Sequence, residues 1–184
     1  MKKSFFFLFA FALFFSAQAQ VLRFGVKAGA NFADFSGSDA KDLSSEMKVG
    51  FHIGALIEFK LFENFSLQPE VMYSTKGAKF DNIGEIEIDD VDLNYITVPV
   101  LARFYLISDK LSLDVGPQFA FLIDDNLEET FESKSFDFAA LAGLSYHFTD
   151  NVFAQLRYVA GLTDVSEDAE IKNQVFQVSL GYRF

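Results

Sequence analysis

The chain has no cysteine. That excludes disulfides, thiolate metal sites and attachment of a lipid through a cysteine. Beyond the first nineteen residues it has no apolar run approaching the length of a membrane-spanning helix, although 51% of its residues are hydrophobic. It lacks a Gly-x-Ser-x-Gly elbow, a phosphate loop, a His-Glu-x-x-His pair and a dinucleotide fingerprint. Prolines number three and histidines two. Bases are scarce beside acids, with a net charge of −11.

What is there instead is alternation. Eight stretches, roughly 22–33, 49–60, 65–77, 93–106, 111–123, 135–148, 152–163 and 173–184, place apolar side chains on every second position. In the last, Phe176, Val178, Leu180, Tyr182 and Phe184 share one phase, and Gln177, Ser179, Gly181 and Arg183 the other. Side chains of a strand have period two, so each stretch predicts a strand with one apolar and one polar face. The polar phase carries Arg23, Lys27, His52, Glu58, Lys60, Glu70, Lys76, Arg103, Asp114, Asp137, His147, Arg157 and Arg183. A Lys or Arg facing mid-bilayer lipid costs roughly 2–4 kcal/mol, and lipid therefore enforces such segregation.

Residues 1–19 predict a cleaved signal peptide. Lys2 and Lys3 precede an apolar core from Phe5 to Phe15, and Ala17-Gln18-Ala19 offers a small-x-small cleavage site. The expected domains are then the signal, 1–19, and a barrel, 20–184. Connections after strands two, four and six are short, and the others run longer. Short periplasmic turns, long external loops and outward aromatics near one rim (Phe24, Phe59, Phe65, Phe104, Tyr146, Phe148, Tyr182 and Phe184) predict an all-β, eight-stranded antiparallel up-and-down transmembrane barrel of the bacterial outer membrane. A soluble barrel with an apolar cavity and a charged exterior would share the alternation with its faces exchanged.

Charge is unevenly spread. Segments 34–48, 78–92, 124–134 and 164–172 hold nineteen acids and five bases, so the strands and turns are nearly neutral. An eight-stranded barrel is just wide enough to be filled by side chains. The lumen is thus expected to hold a structural network of ion pairs centred on Glu70, Arg103, Asp114, Asp137 and Arg157. The acidic loops disfavour nucleic acid and bare phosphate. Their densest groups include Asp89, Asp90 and Asp92, then Asp124 and Asp125, where a hard cation would find carboxylate oxygens without the spacing of a calcium loop. No cofactor or resident metal is implied. Pro69, Pro99 and Pro117 fall within strands and predict bulges. His52 with Ser74 is the one pairing that suggests a hydrolase.

Gln68-Pro69-Glu70 with Tyr73 and Lys76-Gly77, then Tyr95-Ile96-Thr97-Val98-Pro99, resemble the middle strands of the outer-membrane β-barrel family that includes PorT-like proteins of Bacteroidetes. Gly116-Pro117, Arg157-Tyr158 with Gly161-Leu162, Asn173 and the closing Ser179-Leu180-Gly181-Tyr182-Arg183-Phe184 extend the resemblance over the whole mature chain. It implies an eight-stranded outer-membrane barrel without catalysis, and one branch of the family serves a protein-secretion system. The expected function is therefore a structural or interaction protein of the cell envelope, not an enzyme. Its expected partners are outer-membrane lipid and an envelope or extracellular protein. A small transporter or channel, a secretion-system accessory and a lipid-modifying enzyme are the alternatives.

Overall fold

The computed structural model describes residues 22–36, 45–80, 91–125, 135–164 and 172–184. The expected signal, residues 1–19, lies outside them. Eight strands follow one another: β1 (Leu22–Ser36), β2 (Ser45–Phe62), β3 (Phe65–Phe80), β4 (Val91–Ile107), β5 (Leu111–Asp125), β6 (Phe136–His147), β7 (Val152–Gly161) and β8 (Lys172–Arg183). Each pairs antiparallel with the next, and β8 pairs with β1 to close the barrel. Among the described residues no helix is long and apolar enough to cross a membrane.

The faces sort as the alternation requires. Leu180 is 64% exposed and Phe184 72%, whereas Arg103, Asp114 and Glu58 inside are 0% exposed. A soluble barrel would have these faces exchanged, and the structure excludes that alternative. Glycine makes room within the filled interior. A Cβ at Gly181 would lie 2.2 Å from the Phe153 ring, and one at Gly29 would lie 2.0 Å from the Val178 carbonyl oxygen and 2.8 Å from the His52 ring.

Three features differ from the sequence expectation. First, β1 to β5 run past their predicted outer ends, so parts of the expected loops 34–48, 78–92 and 124–134 are paired strand. Ser45 pairs with Phe80, Glu46 with Lys79 and Leu93 with Asp125. Beyond the apolar band a strand no longer separates two environments, and its sequence need not alternate.

Second, the prolines are not at bulges. Register shifts fall at Met47/His52 and Lys60/Phe62 between β2 and β3, and at Asn94/Tyr95 and Tyr105/Ile107 between β4 and β5. Around Pro69, Pro99 and Pro117 the register is unchanged. Pairing merely lapses for two residues: Ile57 and Glu58 opposite Gln68 and Pro69, Val71 and Glu70 opposite Val98 and Pro99, and Val100 and Leu101 opposite Gly116 and Pro117. A proline has no N–H to give, so the ladder bond it would supply is absent.

Third, the lumen is not polar throughout. Ala33, Leu101, Ala139, Leu141, Val159 and Val175 form an apolar cluster inside it, and Leu93, Tyr95 and Ala120 form another with Leu122 packed against them.

Candidate functional site

The polar part of the lumen is built from inward residues of all eight strands. Near the short turns, the Glu58 carboxylate accepts hydrogen bonds from Ser66 Oγ at 2.8 Å, Arg183 Nη1 at 2.6 Å and the Tyr105 hydroxyl. Arg103 stands 3.7 Å from the same carboxylate. It holds Asp114 in a two-pronged pair, Nε to Oδ1 at 2.7 Å and Nη2 to Oδ2 at 3.0 Å. Asp114 also accepts from Ser112 at 3.0 Å, from Gln155 at 2.7 Å and from Ser145.

A second group centres on Glu70. Arg157 grips it at 3.0 and 2.9 Å, Lys27 approaches to 2.8 Å and Gln68 donates at 2.8 Å. Gln155 joins the two groups. Its carbonyl oxygen accepts from Lys27 at 2.7 Å and from Arg157 at 2.9 Å, while its amide donates to Asp114. Asp137 stands apart toward the long loops. It takes Lys76 at 3.1 Å, Asn173 at 2.9 Å and Thr163 at 3.2 Å, and the Lys76 ammonium lies 4.5 Å from the centre of the Tyr95 ring.

Of the five residues singled out in the sequence, the structure thus joins four, Glu70 with Arg157 and Arg103 with Asp114, and separates Asp137 from them. Lys27, Glu58, Tyr105, Gln155 and Arg183 are further members. Phase alone marks them as inward, since each sits among alternating apolar residues. Their partners were hidden, because Lys27 and Gln155 are 128 residues apart and meet only through the stagger of the closed barrel. Two carboxylates serve two cations each: Glu58 takes Arg103 and Arg183, and Glu70 takes Lys27 and Arg157. Removing one partner of a buried pair costs about 3–5 kcal/mol, so the sharing ties six strands together.

His52 does not bond Ser74. Its Nδ1 faces Asn31 Oδ1 at 2.7 Å and its Nε2 faces Ser179 Oγ at 2.8 Å. The Asn31 amide donates to the Phe51 and Thr75 carbonyls and to Ser74 Oγ, which orients its oxygen toward the ring. The order serine, histidine, asparagine is that of a nucleophile, base and orienting group. All three side chains are buried at 0–3% exposure in a filled interior, where they link β8, β1, β2 and β3. His147 lies at the other end, between the Tyr105 and Phe153 rings, so the histidines share no site.

Of the acids expected at the loops, Asp89 and Asp90 lie outside the described residues. Asp92 and Asp125 are in β4 and β5 by their backbone, and Asp124 is exposed and accepts from Asn94 at 3.3 Å. Among the described residues no group of three or more acids or histidines is placed to hold a metal ion.

Outside, aromatic pairs mark two levels. Phe65–Phe104, Tyr146–Phe148 and Tyr182–Phe184 lie toward the short turns. Phe51–Tyr73, Phe119–Phe138, Phe121–Phe136 and Phe32–Phe176 lie toward the long connections. In β4 the apolar outward positions run from Ile96 to Leu106, which for a strand inclined near 45° spans about 25 Å, the height of an outer-membrane apolar band.

A closed eight-stranded barrel with ion pairs within, bare apolar side chains without and two aromatic girdles is a small bacterial outer-membrane barrel. The chain belongs to the outer membrane protein beta-barrel domain family, whose model matches residues 17–167. Its fold is similar to that of Neisserial surface protein A, with a TM-score of 0.61 and 18% identity over 88% of this chain and 97% of that one. It is also similar to Ail, the attachment invasion locus protein of Yersinia pestis, with a TM-score of 0.53 and 16% identity over 89% of this chain and 99% of that one. No curated protein sequence matches the chain. The protein is thus an outer-membrane barrel, with its odd-to-even connections at one end and its three short turns at the other.

Proposed function

We propose that the protein is a non-enzymatic, non-conducting barrel that displays acidic loops at the cell surface and acts through a protein partner of the envelope or the exterior. The observation that carries this reading is the lumen. Buried side chains fill it, the Glu70 and Asp114 groups are cross-linked by Gln155, and the Lys76–Asp137 pair lies nearer the loops. What the chain can offer a partner is then its outer end.

Segments 37–44, 81–90, 126–134 and 165–171 carry thirteen acids and two bases in sequence. Such a surface suits a basic partner and repels a polyanion. Ail has been crystallised with a heparin analogue, sucrose octasulfate, and the opposite charge preference is assigned to this chain. No nucleic acid partner and no cofactor enter this reading. Placement within the PorT-like branch of Bacteroidetes, and service to a secretion system, are the finer form of the proposal. The motifs from Gln68-Pro69-Glu70 to Ser179–Phe184 support it.

The test is cross-linking in intact cells with a tagged copy, beside a copy whose four loops are replaced by short turns. The expected result is a discrete protein captured by the full chain and lost from the trimmed one, with the trimmed barrel still folded. Equal capture by both would overturn the proposal.

A further inference from the structure

We propose that the β2–β3 and β4–β5 hairpins are sunk into the periplasmic leaflet of the outer membrane, with Leu61, Phe62, Leu106 and Ile107 in contact with phospholipid. The register carries the argument. Simple alternation from Phe59 outward and Lys60 inward would turn Phe62 into the lumen, and alternation from Phe104 outward and Tyr105 inward would turn Ile107 the same way. Each hairpin has a register shift just before its turn, at Lys60/Phe62 and at Tyr105/Ile107. A bulge adds one residue and re-aims those beyond it.

The consequence is that Phe62 pairs with Phe65 and Ile107 with Leu111, on the phase that faces lipid. The two extra residues, Leu61 and Leu106, are exposed as well. All four side chains are between 52% and 68% exposed, the cost in water of four large apolar groups.

The patch is continuous with the established lipid face. The Phe62 ring lies 6.3 Å from that of Phe65, which lies 5.0 Å from that of Phe104. Leu111 in turn pairs with Tyr146, a residue of the aromatic level on the neighbouring strand. The hairpins are also adjacent, since Tyr105 N–H donates to the Asn64 carbonyl at 2.9 Å. The β6–β7 turn differs. It closes from Phe148 to Val152 without a register shift, so it adds no re-aimed apolar residue beyond the exposed Phe148. Lipid is therefore the occupant the geometry favours, and it covers one side of the periplasmic rim more deeply.

The natural chain has no cysteine, so single probes are clean. Phe62→Cys, Ile107→Cys and Asp150→Cys would be labelled with bimane while unfolded and then folded into nanodiscs of phosphatidylethanolamine and phosphatidylglycerol. Leu61→Cys and Leu106→Cys serve if either of the first two fails to fold. The expected result is several-fold stronger quenching by brominated acyl chains at 62 and 107 than at 150, with the reverse order for aqueous iodide. Quenching at 62 and 107 that matches 150 would overturn the proposal. Protection from iodide without quenching by brominated lipid would overturn it too, and would point to a second copy of the chain as the cover.

Discussion

At the residue scale, the lumen trades solvation for pairing. Glu70 is buried with two cations and one amide donor. Replacing Glu70 with Ala leaves Arg157 and Lys27 buried and like-charged, and should lower unfolding stability by about 3–5 kcal/mol. Urea unfolding followed by the gel shift between folded and unfolded barrel measures this; a change under 1 kcal/mol, the usual worth of an exposed pair, would show that Glu70 is not held as described. Gly181 gives a second prediction. Gly181→Val has no room beside Phe153, and pairing it with Phe153→Ala should recover folded yield that the single change loses. A single variant folding as well as the natural chain would contradict the contact.

The lumen was legible in part. The phase of Glu70, Arg103, Asp114 and Arg157 placed them inside from sequence alone. That Asp137 belongs with Lys76 rather than with them, and that Gln155 is the link, depends on the barrel's stagger, which local alternation does not encode. The same alternation obscured the apolar cluster. Leu101, Leu141, Val159 and Val175 share the polar phase, where an apolar residue is read as a neutral filler beside charged neighbours.

At the scale of the element, eight strands and seven connections were readable because a strand between lipid and lumen must alternate. The readable part ends where that demand ends. β3 runs to Phe80, where Ala78 and Phe80 take the sequence phase opposite to that of Val71 and Tyr73. The bulges were misplaced for a related reason: proline is conspicuous in a sequence, whereas the extra residues Leu61 and Leu106 look like any other apolar residue. The prolines have a local consequence instead. Pairing lapses beside each of them across β2 to β5, whereas β7 and β8 are paired without interruption from Val152 to Ala160. Ile57 faces Pro69 and Val100 faces Pro117, so their backbone amides should exchange with deuterium faster than those of Leu156 and Val178. Equal protection would mean that the lapses are closed in the membrane.

At the scale of the whole molecule, two separations define the protein: apolar outside from polar inside, and a nearly neutral barrel from acidic loops. The first places it in the outer membrane. The second leaves the loop end as the part with chemistry to offer, provided that the lumen is closed. Pairs that span the barrel make that closure. Lys27 reaches Gln155, Arg157 reaches Glu70 and Lys76 reaches Asp137 across it. The most direct measurement is therefore the conductance of the refolded protein in a planar bilayer, with Glu70→Ala beside the natural chain. The account predicts a silent bilayer for the natural chain, and transient openings only once Glu70 is removed. Steady, stepwise channels from the natural protein would contradict it and make the barrel a small pore.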